Sequence, residues 1–252
     1  MLSLLRNGAP PLVIAHRGAS AHAPENTMAA FSAAWAAGAS WVEADTQPTV
    51  DAVAVVLHDD DLDRTTTGSG PVRETTARAV AGLDAGRWFG PQFAGERVPE
   101  LGTLLADLTD DRSLLLEIKG AHTDDNLSAL CDAVRGGRHD DRVFFESFET
   151  DELRRLTGLW TGRPFGLLAH ELDADPAATA LSLGAAAYNP EVGALLARPG
   201  VVAQLHAVGV AVMVWTSDDP RQWTALTDLG VDAIITNTPG ELLAWQSTRG
   251  GR

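Results

Sequence analysis

The sequence lacks three features that often define a class of protein: paired cysteines, long apolar segments and basic runs. Its 252 residues include one cysteine, Cys131, which excludes an internal disulfide framework. No stretch approaches the ~18 consecutive apolar residues of a membrane-spanning helix, and the first residues lack the apolar segment of a secretion signal. The sequence therefore predicts a soluble, cytoplasmic protein without stable membrane insertion.

Positive charge is scarce as well. The chain has 34 Asp and Glu residues against 19 Lys and Arg residues, which gives a formal net charge of −15. Nucleic acids and anionic membranes are bound through basic patches, so nucleic acid is not an expected partner. An anionic substrate would need local positive charge from side chains or from a metal ion. The composition leaves the oligomeric state open.

What the chain does contain is a regular alternation of strands and helices. A length of 252 residues and a hydrophobic fraction of 45% are sufficient for one large core. Helical stretches separate most of eight apolar or β-branched runs, at 11–14, 41–44, 114–118, 143–148, 165–169, 185–188, 210–215 and 233–236. This pattern predicts an α/β protein with a (β/α)₈ barrel, and a doubly wound open sheet is the alternative. We assign residues 1–247 to one domain and 248–252 to a flexible tail.

One interval is too long for a plain βαβ unit. About seventy residues separate the second strand from the run at 114–118, whereas such a unit needs ~30. The interval contains a further extended run at 53–57 and a turn-rich segment at 65–70. We therefore predict a small insertion after the second strand, at about residues 59–110.

Two strand ends carry side chains that suit chemistry. His16 and Arg17 follow the first strand, at the edge where α/β barrels hold their active sites. Glu43 and Asp45 are two positions apart on the second strand, so both side chains leave the same face. Two neighbouring carboxylates at a barrel mouth favour a divalent cation such as Mg²⁺ or Ca²⁺ between them. The alternative is a pair of exposed surface acids.

The same spacing recurs on the strand at 114–118. Glu117 and Lys119 share one face, where they offer a third oxygen ligand and a positive charge for an anion, or else form a structural salt bridge. His58 follows the run at 53–57 and with His16 offers an acid and a base at neutral pH. No role is predicted for the remaining histidines, which are His22, His122, His139, His170 and His206.

A set of short motifs resembles one known family in order and approximate spacing. The motifs are His16-Arg17-Gly18, Pro24-Glu25-Asn26-Thr27, Val42-Glu43-Ala44-Asp45, His58-Asp59, Arg64-Thr65-Thr66, Leu116-Glu117-Ile118-Lys119, Ser147-Phe148, Val214-Trp215-Thr216 and Ile234-Ile235-Thr236-Asn237. The family that they resemble is that of the glycerophosphodiester phosphodiesterases, and the resemblance extends from about Val13 to Leu243.

The resemblance implies a fold and a reaction. The fold is a TIM barrel with a small insertion after the second strand. The reaction is hydrolysis of a small-molecule glycerophosphodiester to sn-glycerol 3-phosphate and an alcohol. Glu43, Asp45 and Glu117 would bind the one divalent cation, Mg²⁺ or Ca²⁺.

The resemblance also implies roles for the other site residues. His16 and His58 would form the acid and base pair, Arg17 and Lys119 would hold the phosphate, and Trp215 would line the glycerol side of the pocket. The nucleophile, water or a glycerol hydroxyl, and the assignment of acid and base remain open at this point.

Two positions depart from the family pattern. Asp51-Ala52 stands where the family usually has Asp-Gly, which predicts a different turn, and Asn237 stands where many members carry aspartate. Neither change touches a predicted metal ligand.

Two further functions remain as alternatives. One is a lysophospholipase D type cleavage of acylated phosphodiesters, for which the aromatic residues Trp88, Phe89 and Phe93 of the insertion would line an apolar groove or simply pack onto the barrel. The other is a non-catalytic barrel that binds glycerophospho-headgroups. Loss of a histidine or a metal carboxylate would favour the latter, and all of them are present.

Overall fold

The strands form one closed barrel. The structure, a computed structural model, describes residues 4–249, and within them nine strands form a single sheet. These are β1 (Leu12–Ala15), β2 (Trp41–Pro48), β3 (Ala54–Val56), β4 (Ser113–Ile118), β5 (Val143–Ser147), β6 (Phe165–Ala169), β7 (Ala187–Pro190), β8 (Ala211–Val214) and β9 (Ala233–Thr236). Every strand but β3 pairs in parallel, and β1 pairs with both β2 and β9. The predicted (β/α)₈ barrel is confirmed, and an open doubly wound sheet is excluded.

Helices surround the barrel. In the part of the chain described by the structure they are α1 (Met28–Ala36), α2 (Ala77–Ala81), α3 (Leu101–Ala106), α4 (Asp124–Arg135), α5 (Thr150–Leu159), α6 (Pro176–Leu183), α7 (Val192–Ala197), α8 (Val201–Ala207), α9 (Pro220–Leu229) and α10 (Pro239–Arg249). The local sequence sets where several begin, because Thr27, Thr123 and Asp175 each accept a hydrogen bond from a backbone N–H in the first turn. Gly184 and Gly230 end α6 and α9 in the left-handed conformation.

The strands carry two separate apolar layers. Val42, Leu114 and Phe145 belong to a large cluster that includes buried helix residues such as Phe31. The alternate positions of the strands belong to a smaller cluster that includes Ile14, Trp41, Leu115, Phe144, Ala187, Met213 and Ile235. Because strand side chains alternate between faces, the first layer packs the helices onto the barrel and the second fills the barrel interior.

The predicted insertion follows β2. The strand β3 pairs antiparallel with β2, with Thr46 opposite Val56, and is followed by the short helices α2 and α3. A separate apolar cluster that includes Leu57, Leu62 and Val80 holds this segment together. The sequence predicts a different turn at Asp51-Ala52 from that of Asp-Gly, but Ala52 has φ of +60°, in the left-handed region. Alanine thus occupies a conformation that favours glycine.

Helix α10 is the last element of the described residues. This helix runs to Arg249, so it covers residues 248 and 249 of the predicted tail, and 250–252 lie outside the described residues. Among residues 4–249, none of the helices combines the length and the apolar character needed to cross a bilayer.

Gly18 allows the chain to turn directly after the first strand. It has φ of +81°, and a Cβ atom there would lie 2.5 Å from the backbone carbonyl carbon of Ala30 in α1. Gly8 has a similar φ of +89° with no atom within 4 Å of such a Cβ. Alanine substitutions at these two glycines would therefore distinguish the free-energy cost of the backbone conformation from the cost of the steric contact.

We expect Gly18→Ala to destabilise the protein by roughly 2–5 kcal/mol, since the conformational cost of about 1–2 kcal/mol is joined by an overpacking cost of about 1–3 kcal/mol. Gly8→Ala should show the conformational cost alone. Urea unfolding of both variants measures the difference. Equal shifts of the two midpoints would show that helix α1 moves away from the added Cβ atom without a measurable loss of stability.

Candidate functional site

The barrel interior changes from apolar to polar towards the carboxyl ends of the strands. Two positions after an inward-facing apolar residue comes a polar or amphipathic one: Ile14 precedes His16, Trp41 precedes Glu43, Leu115 precedes Glu117, Phe144 precedes Glu146 and Met213 precedes Trp215. The register places Asp45 level with Glu117 and Glu117 level with Glu146. These side chains therefore converge at one end of the barrel, around a cavity of about 560 Å³.

Three carboxylates lie together in this region. Glu43, Asp45 and Glu117 are buried, and each offers an oxygen within 4.8 Å of the others. Glu43 Oε1 and Asp45 Oδ1 are buried without a hydrogen-bond partner among residues 4–249. Such unpaired acceptors are costly, and an all-oxygen ligand set suits a hard cation. The cluster therefore fits a divalent metal ion.

The electrostatics of the cluster agree with this fit. Burial and the neighbouring charge of Asp45 raise the pKa values of Glu43 and Glu117 well above the usual range for glutamate. Burial acts on Asp45 in the same direction, but Arg17, whose Nε lies 3.1 Å from Asp45 Oδ2, holds the pKa of Asp45 below its usual range. A cation bound here would displace protons from the two glutamates.

Two positive side chains border the cluster. The Arg17 backbone N–H donates to Glu43 Oε2 at 2.8 Å, and its guanidinium donates to Glu25 Oε1 at 2.8 Å. Lys119 Nζ lies 2.9 Å from Glu117 Oε1 and 3.8 Å from Asp45 Oδ1. The salt bridge weighed as an alternative for Lys119 is present, but Arg17 and Lys119 also line the cavity, where an anion can reach them.

His16 is held in one tautomer. Its Nδ1 lies 2.7 Å from Asn237 Oδ1, and Asn237 Nδ2 donates to Asp218 Oδ2 at 2.7 Å. A carboxylate only accepts, so the Asn237 amide must turn its oxygen towards His16, and Nδ1 carries the proton. Burial and the charge of Arg17 lower the pKa of His16 to about 4. The neutral ring therefore has its lone pair on Nε2.

His58 has a charged partner instead. Its Nδ1 donates to Asp59 Oδ1 at 2.7 Å, and its Nε2 accepts from Lys119 Nζ at 3.1 Å. Asp59 is itself held by Arg64, which also contacts Glu25. Burial opposes ionisation of Asp59, but the hydrogen bonds from Arg64 lower its pKa to about 2. The two histidines thus lie at one cavity with different partners, a neutral amide and a carboxylate.

Aromatic side chains form another wall of the cavity. Phe148 stacks on His170 with ring centroids 4.4 Å apart, and both meet Trp215 edge to face. Trp215 Nε1 donates to the Asn189 carbonyl oxygen at 2.7 Å, which fixes the ring. His170, to which the sequence assigns no role, therefore belongs to this cavity. His170 follows directly after the apolar run at 165–169. This position at the end of a predicted strand is the sequence feature that indicates a place at the barrel mouth.

Glu146 is a further cavity residue that sequence reasoning missed. It is 1% exposed and accepts a hydrogen bond from Asn189 Nδ2 at 2.6 Å, and burial raises its pKa to about 8. The signal was available, because Glu146 stands in the apolar run at 143–148 just as Glu117 stands at the end of the run at 114–118.

The residues predicted from the sequence to be catalytic, substrate-binding or metal-binding all lie at this one site. Asp45 belongs to the buried acidic cluster. The cavity itself is lined by His16, Arg17, Glu43, His58, Glu117, Lys119 and Trp215.

A closed barrel with a buried carboxylate cluster, two cations and two histidines at its carboxyl-terminal mouth defines the class of barrel hydrolases that act on anionic esters. Comparison with known proteins narrows this class. The model of the glycerophosphoryl diester phosphodiesterase family matches residues 16–241, and the chain belongs to that family. The resemblance noted in the sequence is thereby confirmed.

Individual relatives agree over nearly the whole chain. A glycerophosphodiester phosphodiesterase of Caldanaerobacter subterraneus subsp. tengcongensis is 36% identical over 236 residues, which cover 92% of this chain and 96% of the relative. A putative glycerophosphodiester phosphodiesterase of Bacillus subtilis is 32% identical, over 90% of this chain and 94% of the relative. Among solved structures, an Oleispira antarctica phosphodiesterase in complex with the product sn-glycerol 3-phosphate superposes with a TM-score of 0.89 at 28% identity, covering 94% of this chain and 97% of that one.

The acidic cluster predicts that a divalent cation stabilises the protein and that one carboxylate can abolish the effect. At an ion concentration 100 times the Kd, binding should add about 2.7 kcal/mol and raise Tm by roughly 5–10 °C. Glu43→Gln keeps the acceptor for the Arg17 N–H but removes a carboxyl group whose raised pKa disfavours folding at neutral pH. It should raise the Tm of the metal-free protein and lose the metal-dependent rise.

Thermal unfolding with EDTA, Mg²⁺ and Ca²⁺ tests this expectation. Glu152→Gln is the matched control, because Glu152 is a buried carboxylate outside the cluster, and it should keep the full metal-dependent rise. An equal rise in the protein and in Glu43→Gln would place the ion elsewhere.

Proposed function

We propose that the protein is a metal-dependent glycerophosphodiester phosphodiesterase that releases sn-glycerol 3-phosphate and an alcohol. The observation that carries this proposal is the acidic cluster with its two unpaired oxygens, bordered by two cations and two histidines in one cavity. The names of the relatives and the product held by the Oleispira structure support it. Lysophospholipids are the alternative substrate class.

We assign binding of the phosphodiester to the positively charged side chains of Arg17 and Lys119. Arg17 offers a planar fork and Lys119 a point charge, and both reach the cavity next to the cluster. Glu43, Asp45 and Glu117 would hold one Mg²⁺ or Ca²⁺ ion, which when bound supplies charge stabilisation at a phosphoryl oxygen. Trp215 would line the glycerol side of the pocket.

Proton transfer is assigned to the two histidines according to their partners. His16 has a neutral partner in Asn237 and its lone pair on Nε2, so it accepts the proton of the nucleophile, which is water or a glycerol hydroxyl. His58 donates Nδ1–H to the Asp59 carboxylate, which orients the ring. Its Nε2, which accepts from Lys119 in this structure, is assigned the proton for the leaving alcohol once Lys119 turns to the phosphate. Environments that differ in this way commonly separate an acid from a base.

Hydrolysis of glycerophosphocholine and glycerophosphoethanolamine, followed by the release of sn-glycerol 3-phosphate, tests the reaction. EDTA should abolish release, and His16→Ala and Glu43→Gln should each lower kcat by at least about 10²-fold. His22→Ala is the control, since His22 is exposed and pairs with Glu241. Release of choline and lysophosphatidic acid from lysophosphatidylcholine, without hydrolysis of the deacylated diesters, would replace the proposal with the lysophospholipase D activity.

The assignment of acid and base makes a separate prediction. A glycerol-3-phospho-p-nitrophenyl diester has a leaving group that needs no protonation. His58→Ala should therefore lose at least ~10²-fold in kcat on glycerophosphocholine but less than about tenfold on this ester, whereas His16→Ala should lose activity on both. Steady-state kinetics on the two substrates decide the matter. The opposite pattern would exchange the two roles.

A further inference from the structure

Arg64 joins two loops that carry the catalytic groups. Its Nε and Nη2 atoms donate to Asp59 Oδ2 and Oδ1 at 2.6 and 2.9 Å. Its Nη1 and Nη2 atoms donate to Glu25 Oε2 and Oε1 at 2.9 and 2.8 Å. One guanidinium thus makes paired contacts with two carboxylates, one in the loop after β1 and the other in the segment after β3.

Each of these carboxylates has a second contact inside the site. Asp59 Oδ1 accepts from His58 Nδ1 at 2.7 Å, and Glu25 Oε1 accepts from Arg17 at 2.8 Å. The Glu25 side chain is only 15% exposed, so it gives Arg64 a fixed point next to the barrel. A continuous path of contacts therefore runs from Arg17 through Glu25, Arg64 and Asp59 to His58.

The need for such a path follows from where His58 lies. His58 comes from the segment after β3, whereas His16 stands at the end of the first barrel strand. The side chain of Asp59 is 28% exposed, so without Arg64 it could adopt another rotamer and hydrogen-bond to water instead of to His58. The Nδ1 contact of His58 would then lose its orientation.

We propose that Arg64 is a positioning residue that acts through Asp59 to orient the His58 ring for proton donation to the leaving alcohol. This inference rests on the proposed function and adds to it a residue that does not line the cavity. Partners that hold a catalytic or ligating histidine in this way typically affect activity by about 10–100-fold. Lysine cannot replace arginine here, because a point charge cannot make two paired contacts.

Arg64→Ala and Arg64→Lys are the test variants, with Arg73→Ala as the control. Arg73 lies on the same inserted segment, and its contact is a single one of 3.5 Å with the exposed Asp60. On glycerophosphocholine we expect both Arg64 variants to lose about 10–100-fold in kcat with KM changed less than about threefold. Arg73→Ala should stay within about twofold of the unchanged protein.

The p-nitrophenyl diester separates positioning from general damage. Because that leaving group needs no proton, Arg64→Ala should lose less than about threefold on it. A double variant with Asp59→Asn should be no worse than the poorer single variant, since both break the same link. Equal losses on the two substrates, additive losses in the double variant, or an Arg64→Ala enzyme as active as Arg73→Ala would each overturn the proposal.

Proton NMR supplies a readout that does not depend on turnover. The Nδ1 proton of His58, assigned by its absence in His58→Ala, should be protected from exchange in the unchanged protein and in Arg73→Ala and lost in Arg64→Ala. Arg64→Lys serves if Arg64→Ala does not fold. A protein without diesterase activity would defeat the proposed function, whereas an unchanged His58 signal in the Arg64 variants would defeat the positioning role alone.

Discussion

The mutual repulsion of three buried carboxylates is the constraint on which the rest of the site depends. Glu43, Asp45 and Glu117 leave water without enough hydrogen-bond donors to compensate, and two of their oxygens have no hydrogen-bond partner among residues 4–249. Such an arrangement is tolerated because the surrounding barrel is closed and well packed. Arg17 and Lys119 reduce the excess negative charge only in part, which leaves the cluster suited to a divalent cation.

The barrel solves the placement problem by simple alternation. Inward-facing positions are apolar at the lower level, where Trp41, Leu115 and Phe144 fill the interior, and acidic two residues later. The inward-facing positions of the strands therefore supply both the core and the site residues. The parallel register brings the site residues to the same end of the barrel. Along each strand, the apolar residue that fills the interior and the polar residue of the site are two positions apart, a rise of about 7 Å.

Sequence reasoning found the parts of the site that lie on strands and missed parts whose role depends on neighbours. Glu43 and Glu117 were visible because a same-face pair at the end of an apolar run is unusual. Glu146 had no partner at the same spacing, and His170 gains its meaning only from stacking on Phe148. The contact of Arg64 with Glu25 joins residues 39 positions apart, so no local pattern predicts it.

The sequence by itself determined the alternation of strands and helices, the inserted segment and the residue types at the strand ends, because hydrophobic periodicity and spacing are local properties. Only the tertiary structure decided that the sheet closes, that His16 faces a neutral amide while His58 faces a carboxylate, and that one arginine links their loops. The reason is physical: the tautomer of His16 and the link between the loops depend on Asn237 and Glu25, which are distant in sequence from their partners, and the rotamer that brings His58 to the adjacent Asp59 depends on the surrounding packing.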